Sequence, residues 1–381
     1  MRVAVFTDKP PERLESFIRA HIRRLQPDVI HIYRRGRAWY RSDGRPLAPF
    51  FHPGVHRAMA ALSGGDRESV DRILSRIIPQ PIANWEIRRL LRKEKIDVAL
   101  AEFGPVGVLV MEHCARTDLP LVTHFHGHGV FKHRTRQKYE SRYARLFDIS
   151  SALIAVSHDM EKRLGEMGAP AEKIHYIPCG VDTRQFCGAD PAHAQPTFVA
   201  VSNLLPIKAP HVTLLAMSRV VEACPEARLI YLGDGPLRES CLQLVKALCL
   251  ENNVEFRGAV PNEAVPKVLK EGRCFVQHCM ACESVEAEGG PSVSLLEACS
   301  AGLPAVVSRC GGLKDVVEDG QTGFLVDEGD IAAMAERMLK LAEDPSLATK
   351  MGNAARLRVE HHFSQAVLAP KLHNVLLDAA R

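Results

Sequence analysis

Residues 288–308 put groups that can bind and polarise a substrate into one short run: Glu288-Gly-Gly-Pro-Ser-Val-Ser-Leu-Leu-Glu297-Ala-Cys-Ser-Ala-Gly302-Leu-Pro304-Ala-Val-Val-Ser308. Pro291 suits the first turn of a helix, where a missing N–H costs nothing. Gly302 and Pro304 suit its end. The start of a helix carries unpaired N–H donors and a partial positive charge, so amides near Ser292 favour an anion such as a diphosphate. Gly289 and Gly290 would let the backbone come close to that anion. Glu297 falls about two turns into the helix, where a carboxylate can accept hydrogen bonds from a ribose. Together these parts could hold a nucleoside diphosphate.

The elements that must position this run alternate strand and helix, the pattern of an α/β protein with parallel sheets. Strands are expected at Val3–Phe6, Val29–Tyr33, Ile96–Ala101, Leu121–Phe125, Ala152–Val156 and Ile174–Pro178, with helices at Leu14–Leu25, Arg67–Ile78 and Trp85–Lys95. Gly36–Pro53 reads as a polar and aromatic loop, and Ser157 as the cap of a helix running to Met167. Asp182–Pro196, rich in Ala, Pro, Asp and Gln, reads as a linker. A second unit follows, with strands at Thr197–Ser202, Arg228–Leu232, Val254–Phe256, Cys274–Gln277 and Ala305–Val307. Its helices are expected at His211–Ala223, Leu237–Leu250, Ala264–Lys270, Val293–Ala301 and Ile331–Glu343. The domains are therefore placed at 1–185 and 196–360, two doubly wound units facing a cleft, with ligands beyond the carboxyl ends of the strands.

A chain of 381 residues, 46% hydrophobic and 25% charged, is ordinary for a globular protein of two domains. No apolar run reaches the roughly 18 residues of a membrane span. The N-terminus lacks the apolar core and cleavage site of a signal peptide, which implies a cytoplasmic protein. Residues 1–185 carry 31 Lys and Arg against 21 Asp and Glu, and the remainder 18 against 24. The basic half would favour an anionic partner, such as the inner face of a membrane or a lipid phosphate, as well as it fits plain solvated helix faces. No nucleic-acid motif is present, which argues against that partner. The eleven cysteines are scattered, as in a reduced protein. Cys274, Cys279 and Cys282 cluster near His278, but their spacing has no matching pair elsewhere, and buried thiols are the simpler reading. No metal site is expected.

The 288–308 run resembles the signature of glycosyltransferase family 4, retaining enzymes of GT-B fold, in which two Glu separated by seven residues straddle a helix start. The resemblance extends over nearly the whole chain. It includes Val181-Asp182, Lys208-Ala-Pro-His211, Gly233-Asp-Gly-Pro236, Phe275-Val-Gln-His278, Gly311-Gly312 and Gly320-Gln-Thr-Gly-Phe-Leu-Val326. It is strongest toward the branch that builds bacterial exopolysaccharides of the colanic-acid type. It implies two Rossmann-like domains, with the final helix, residues 364–381, crossing back to the first. It implies that Lys208 holds the leaving diphosphate, that His126 reaches the donor sugar, that Glu288 contacts that sugar, and that the nucleobase lies near Arg257-Gly258. Three positions depart from the family pattern. Asn203 stands where an Arg is usual, Gly129 where an Asp is usual, and eight residues separate Glu288 from Glu297. Either the loop holds one extra residue or Gly289 takes the place of the first Glu, with Glu283 and Glu286 as other carboxylates in reach. His124 and His128 flank His126. Gly233–Pro236, Gly311-Gly312 and Gly320–Gly323 read mainly as turns.

No Asp-x-Asp pair occurs, which fits a metal-independent transferase, and no Gly-x-Gly-x-x-Gly, which argues against a nicotinamide or flavin enzyme. The expectation is a retaining hexosyltransferase using a UDP- or GDP-sugar, without a cofactor, on a glycan or lipid-linked acceptor of surface polysaccharide synthesis. The main alternative is a catalytically impaired homologue that binds the nucleotide sugar or acts as a scaffold. A GT-B epimerase or phosphorylase is a third.

Overall fold

The computed structural model describes residues 1–25, 28–35, 38–44, 47 and 80–381. Two separate sheets organise the chain. The first contains β1 (Val3–Thr7), β2 (Val29–Arg35), β3 (Ala38–Arg41), β4 (Val98–Glu102), β5 (Leu121–Phe125), β6 (Ser150–Ala155) and β7 (Ile174–Tyr176), in the order β3-β2-β1-β4-β5-β6-β7. All its pairs are parallel except β2–β3. The second contains β8 (Thr197–Val201), β9 (Arg228–Leu232), β10 (Val254–Gly258), β11 (Cys274–Gln277), β12 (Ala305–Ser308) and β13 (Gly323–Val326), in the order β10-β9-β8-β11-β12-β13, parallel throughout. Both orders reverse beside their first strand, the switch point at which such sheets bind ligands.

The longer helices are α1 (Ser16–Leu25), α2 (Gln80–Lys93), α3 (Gly104–Ala115), α4 (His133–Ile149), α5 (His158–Glu166), α6 (Pro210–Ala223), α7 (Arg238–Ala247), α8 (Val265–Leu269), α9 (Val293–Ala301), α10 (Ile331–Glu343), α11 (Pro345–His362) and α12 (Gln365–Ala379). Ser157 Oγ accepts the Met160 amide and caps α5. Asp330, Asp344 and Ser364 cap α10, α11 and α12 in the same way.

Part of the expected 36–53 loop forms the antiparallel strand β3, because Trp39 and Tyr40 have a buried face to fill. The rest of that loop beyond 47, and the expected helix at 67–78, lie outside the described residues. Helices α3, α4 and α11 and strand β13 are elements the sequence pattern did not reveal. Gly323 opens β13 at φ +156, so part of the 320–323 run is strand rather than turn.

Leu368, Leu372 and Leu376 of α12 are buried against Val3, Val5, Val98, Leu100, Val122 and Ile154 of the first sheet. Each such leucine is worth about 1.5–3 kcal/mol, so the C-terminal helix fastens the second unit to the first. The segment after β7 lies along the second domain. Phe186 is buried there, its carbonyl accepts from Ser300 Oγ at 2.7 Å, and the Ala189 amide donates to Ala301. No helix of the described residues is long and apolar enough to cross a membrane.

Candidate active site

On the second domain, α9 starts at Val293 with Ser292 as N-cap. Pro291 is therefore one position before the cap, not inside the first turn. Ser292 does not cap α9 with its own side chain: its Oγ pairs with Ser294 Oγ at 2.9 Å, and Ser294 donates to the Val201 carbonyl. The amides of Val293, Ser294 and Leu295 have no acceptor among the described residues. Free amides at a helix start are donors that an anion can occupy. At the other end Gly302 adopts φ +101, the left-handed cap expected of it.

Lys208 ends the turn Pro206–Lys208 that follows β8. Its Nζ lies 2.6 Å from Glu288 Oε2. Burial alone would lower the pKa of this ammonium, but the charges around it, Glu288 among them, raise it above the ordinary lysine value. It is therefore a fixed cation. Asn203 is exposed on the same loop and makes no side-chain hydrogen bond among the described residues. The Gly233–Pro236 turn is more than a connection. A Cβ on Gly235 would lie 2.6 Å from the Leu204 carbonyl oxygen, so these glycines let the turn back the 202–205 loop.

Glu297 is only 6% exposed and has no hydrogen-bond partner among the described residues. It faces a cavity of about 580 Å³ shared with Arg19, Arg23, Asn262, Glu263 and Val293. Burial pushes its carboxyl up to about 8. A carboxyl held this way lacks donors, which a ligand's hydroxyls can supply.

On the first domain, His126 follows β5 and is buried, its ring 4.8 Å from those of both Phe17 and Phe103. Its Nε2 is 2.8 Å from Glu102 Oε2. Glu102 ends β4 and is fully buried. Its other oxygen lies 3.0 Å from His21 Nδ1, and His124 Nδ1 is 3.4 Å from Oε2. Burial would raise the Glu102 pKa, but His124, His21 and His126 together hold it well below the usual carboxylate range. Phe103, directly after Glu102, sits at φ +78, a strained backbone of the kind found at functional sites.

The domains meet directly at this point. A Cβ on Gly127 would lie 2.9 Å from the Gly289 Cα, and one on Gly290 would lie 2.7 Å from Val156 Cγ2. Ser157 Oγ also donates to the Gly289 carbonyl at 2.9 Å. Gly289 and Gly290 thus serve the approach of the two domains. Gly311 and Gly312 are not simple turns either, since a Cβ on Gly311 would strike the Glu288 backbone.

The structure brings Lys208, Glu288 and the start of α9 to one side of this contact and His126 to the other. Glu286 is occupied by Arg136 at 2.6 Å and by Arg163, and Glu283 is exposed. Neither replaces Glu288. His128 lies near Thr135 Oγ1, at 3.3 Å, and Gly129 accepts from the Tyr143 hydroxyl. A side chain at 129 would press on Pro105 and Tyr143, which accounts for glycine at this position. Arg257 is engaged with Glu255 and Glu271. Glu102 and His21 are the residues that sequence reasoning missed. The one available signal was a carboxylate at a strand end, and only the β4–β5 pairing, Glu102 beside His124, puts it next to the histidines. Cys274 and Cys279 are buried free thiols, and His278 Nε2 already accepts the Gly329 amide.

Residues 188–358 match the family described as glycosyl transferases group 1, and residues 64–185 match glycosyltransferase family 4. WcaL of Escherichia coli (strain K12), named for a glycosyltransferase role in colanic acid biosynthesis, is 30% identical over 74% of this chain and 70% of its own length. HepE of Anabaena, solved in complex with UDP, superposes with a TM-score of 0.74 at 16% identity, covering 99% of this chain and 100% of HepE. TarM of S. aureus superposes with a TM-score of 0.62 at 18% identity; the match covers 77% of this chain and 59% of TarM. The chain is a member of glycosyltransferase family 4, a glycosyltransferase built on the GT-B fold.

Proposed function

We propose that the protein transfers a hexose, with retention, from a UDP- or GDP-sugar to a glycan or lipid-linked acceptor of bacterial surface polysaccharide. The observation that carries this reading is the grouping of three complementary features on the second domain. These are the uncapped start of α9, the partly buried Lys208 beside Glu288, and the unpartnered carboxyl of Glu297 in a cavity of about 580 Å³. The amides of α9 and Lys208 would hold the diphosphate, and Glu297 would accept from the ribose hydroxyls. HepE has been solved with UDP-glucose, and WcaL is named for colanic acid biosynthesis, which supports the donor and acceptor classes.

In this reading the bond from the anomeric carbon to the diphosphate oxygen breaks, and the electron pair leaves on the diphosphate. Lys208 and the helix start stabilise the growing charge, so no divalent ion is needed there. The acceptor hydroxyl attacks the same face of the sugar, and its proton passes to the departing phosphate oxygen. Glu288 and His126 would orient the sugar between the domains. The excess of basic residues in 1–185 supports an acceptor presented at an anionic membrane surface.

Transfer assays with a panel of sugar nucleotides test the reading. Glu297→Ala with full activity on the true donor would remove it. Asn203, exposed and uncharged where family members carry a cation, favours a second reading, a nucleotide-sugar-binding homologue with impaired catalysis. Calorimetry separates the two: tight binding of a nucleotide with neither transfer nor donor hydrolysis across the panel supports the second.

A further inference from the structure

In the first domain, His21 of α1, Glu102 at the end of β4 and His124 of β5 bring three ligand atoms within 4.8 Å of one another. Glu102 has no solvent exposure; its oxygens lie 3.0 Å from His21 Nδ1 and 3.4 Å from His124 Nδ1. His124 is itself completely buried, and neither of its ring nitrogens makes a well-formed hydrogen bond. A buried imidazole whose nearest ionic partner, Glu102, stands at 3.4 Å is under-satisfied, and a bound ion would complete it. We propose that His21, Glu102 and His124 form a binding site for one divalent transition-metal ion of the zinc class.

Zinc takes imidazole nitrogen and carboxylate oxygen at about 2.0–2.2 Å, so neighbouring ligand atoms of a tetrahedral site lie roughly 3.3–3.6 Å apart. The 3.0 and 3.4 Å separations run to the two different oxygens of Glu102, and one ligand atom from each residue lies within 4.8 Å of the others, so side-chain rotations must draw the set together around an ion. Two imidazoles and one carboxylate suit zinc over magnesium or calcium, which prefer all-oxygen sets. An entry path also exists. His21 is only partly buried and lines a cavity of about 340 Å³ with Phe17, Ala20, Ile177 and Gly180, from which a water can supply the fourth ligand.

Glu102 Oε2 is also the atom that meets His126 Nε2 at 2.8 Å. An ion on His21, Glu102 and His124 therefore fixes the carboxylate that orients His126, as outer partners orient metal ligands elsewhere. The ion organises the first-domain wall of the cleft and lies apart from Lys208 and α9, which belong to the second domain.

The test uses the full chain, passed over a chelating resin and titrated with zinc or cobalt(II). One ion per chain by elemental analysis is expected, with visible cobalt(II) absorption of a four-coordinate nitrogen and oxygen site. A melting temperature that rises with zinc is also expected. His21→Ala, on the accessible helix, should keep the native circular dichroism and weaken zinc by about a hundredfold or more. His124→Ala should do the same, and the exposed His193→Ala should bind as the parent does. No stoichiometric ion in the parent, or undiminished binding in both His21→Ala and His124→Ala, overturns the site. None of these readouts depends on sugar transfer, so failure here leaves the donor reading intact, and failure of the donor reading leaves this site intact.

Discussion

Glu102 and Glu297 are both buried carboxyls beside the same cleft, yet their surroundings drive them in opposite directions. Glu102 has three imidazoles around it and is held well below the ordinary carboxylate range, despite burial that would raise it. Glu297 has no partner and rises to about 8 through burial alone. Glu102 is surrounded by imidazoles of its own domain, whereas Glu297 lines a cavity that offers its carboxyl no donor among the described residues. In the proposed reading the first-domain wall is organised around His126, and the second-domain wall receives a ligand's hydroxyls and phosphates.

The comparison can be tested from its strongest point downward. Lys208→Met removes the cation beside Glu288, and kcat should fall by about 10²–10³-fold, read in single-turnover transfer. A smaller loss would shift the burden onto the helix amides. Glu102→Gln breaks the imidazole cluster and should cost about 3 kcal/mol of stability in urea titration. Its kcat should fall more than its affinity for the donor changes, since it acts on donor sugar only through His126. Glu297→Gln should weaken nucleotide binding by about 1.5–3 kcal/mol in calorimetry, as loss of a charged acceptor does.

The two carboxyls also predict opposite pH effects on the ligand-free protein. The folded-state pKa of Glu102 lies below its unfolded value near 4.5, so its contribution is present above that pH and lost as the pH falls. The folded-state pKa of Glu297 lies above 4.5, so its cost is absent at lower pH, grows from about 4.5 to about 8, and is complete above that. Within this window the slope reaches about 1.4 kcal/mol per pH unit. Glu297→Gln should flatten the alkaline limb and leave the acid limb unchanged. The smallest effect is expected of Asn203→Arg. It restores a cation to the diphosphate side and should raise kcat/KM a few-fold, about 1 kcal/mol.

The elements of the second wall were legible in the sequence because they are local, although Pro291 lies before the cap and Gly289 and Gly290 pack against the first domain. The carboxylate, glycines and capping residues of 288–302 fall within one helix and its entry loop, and Val293–Ala301 and Ile331–Glu343 were read at their observed bounds. The first wall was legible only in part. His126 stands at a strand end, but its partners come from β4 and from α1, and sheet order rather than sequence distance brings them together. Helix α3 escaped notice because it is apolar nearly all round and so carries no 3.6-residue stripe. Helix α4 escaped for the opposite reason, burying little more than Tyr143, Leu146 and Phe147. Strand β13 was masked by the glycines at its entrance, one of which pairs with Ala305 so tightly that no side chain fits.

The most direct measurement is calorimetric titration of UDP and GDP at pH 6, 7 and 8, in buffers of differing ionisation enthalpy, with the parent and Glu297→Gln. If ribose hydroxyls complete a carboxylate that burial has kept protonated, the better nucleotide binds more tightly as the pH rises toward 8 and releases close to one proton at pH 6. The variant should show weaker, pH-independent binding. Parent and variant binding alike, with the same affinity and no proton released, would contradict the account.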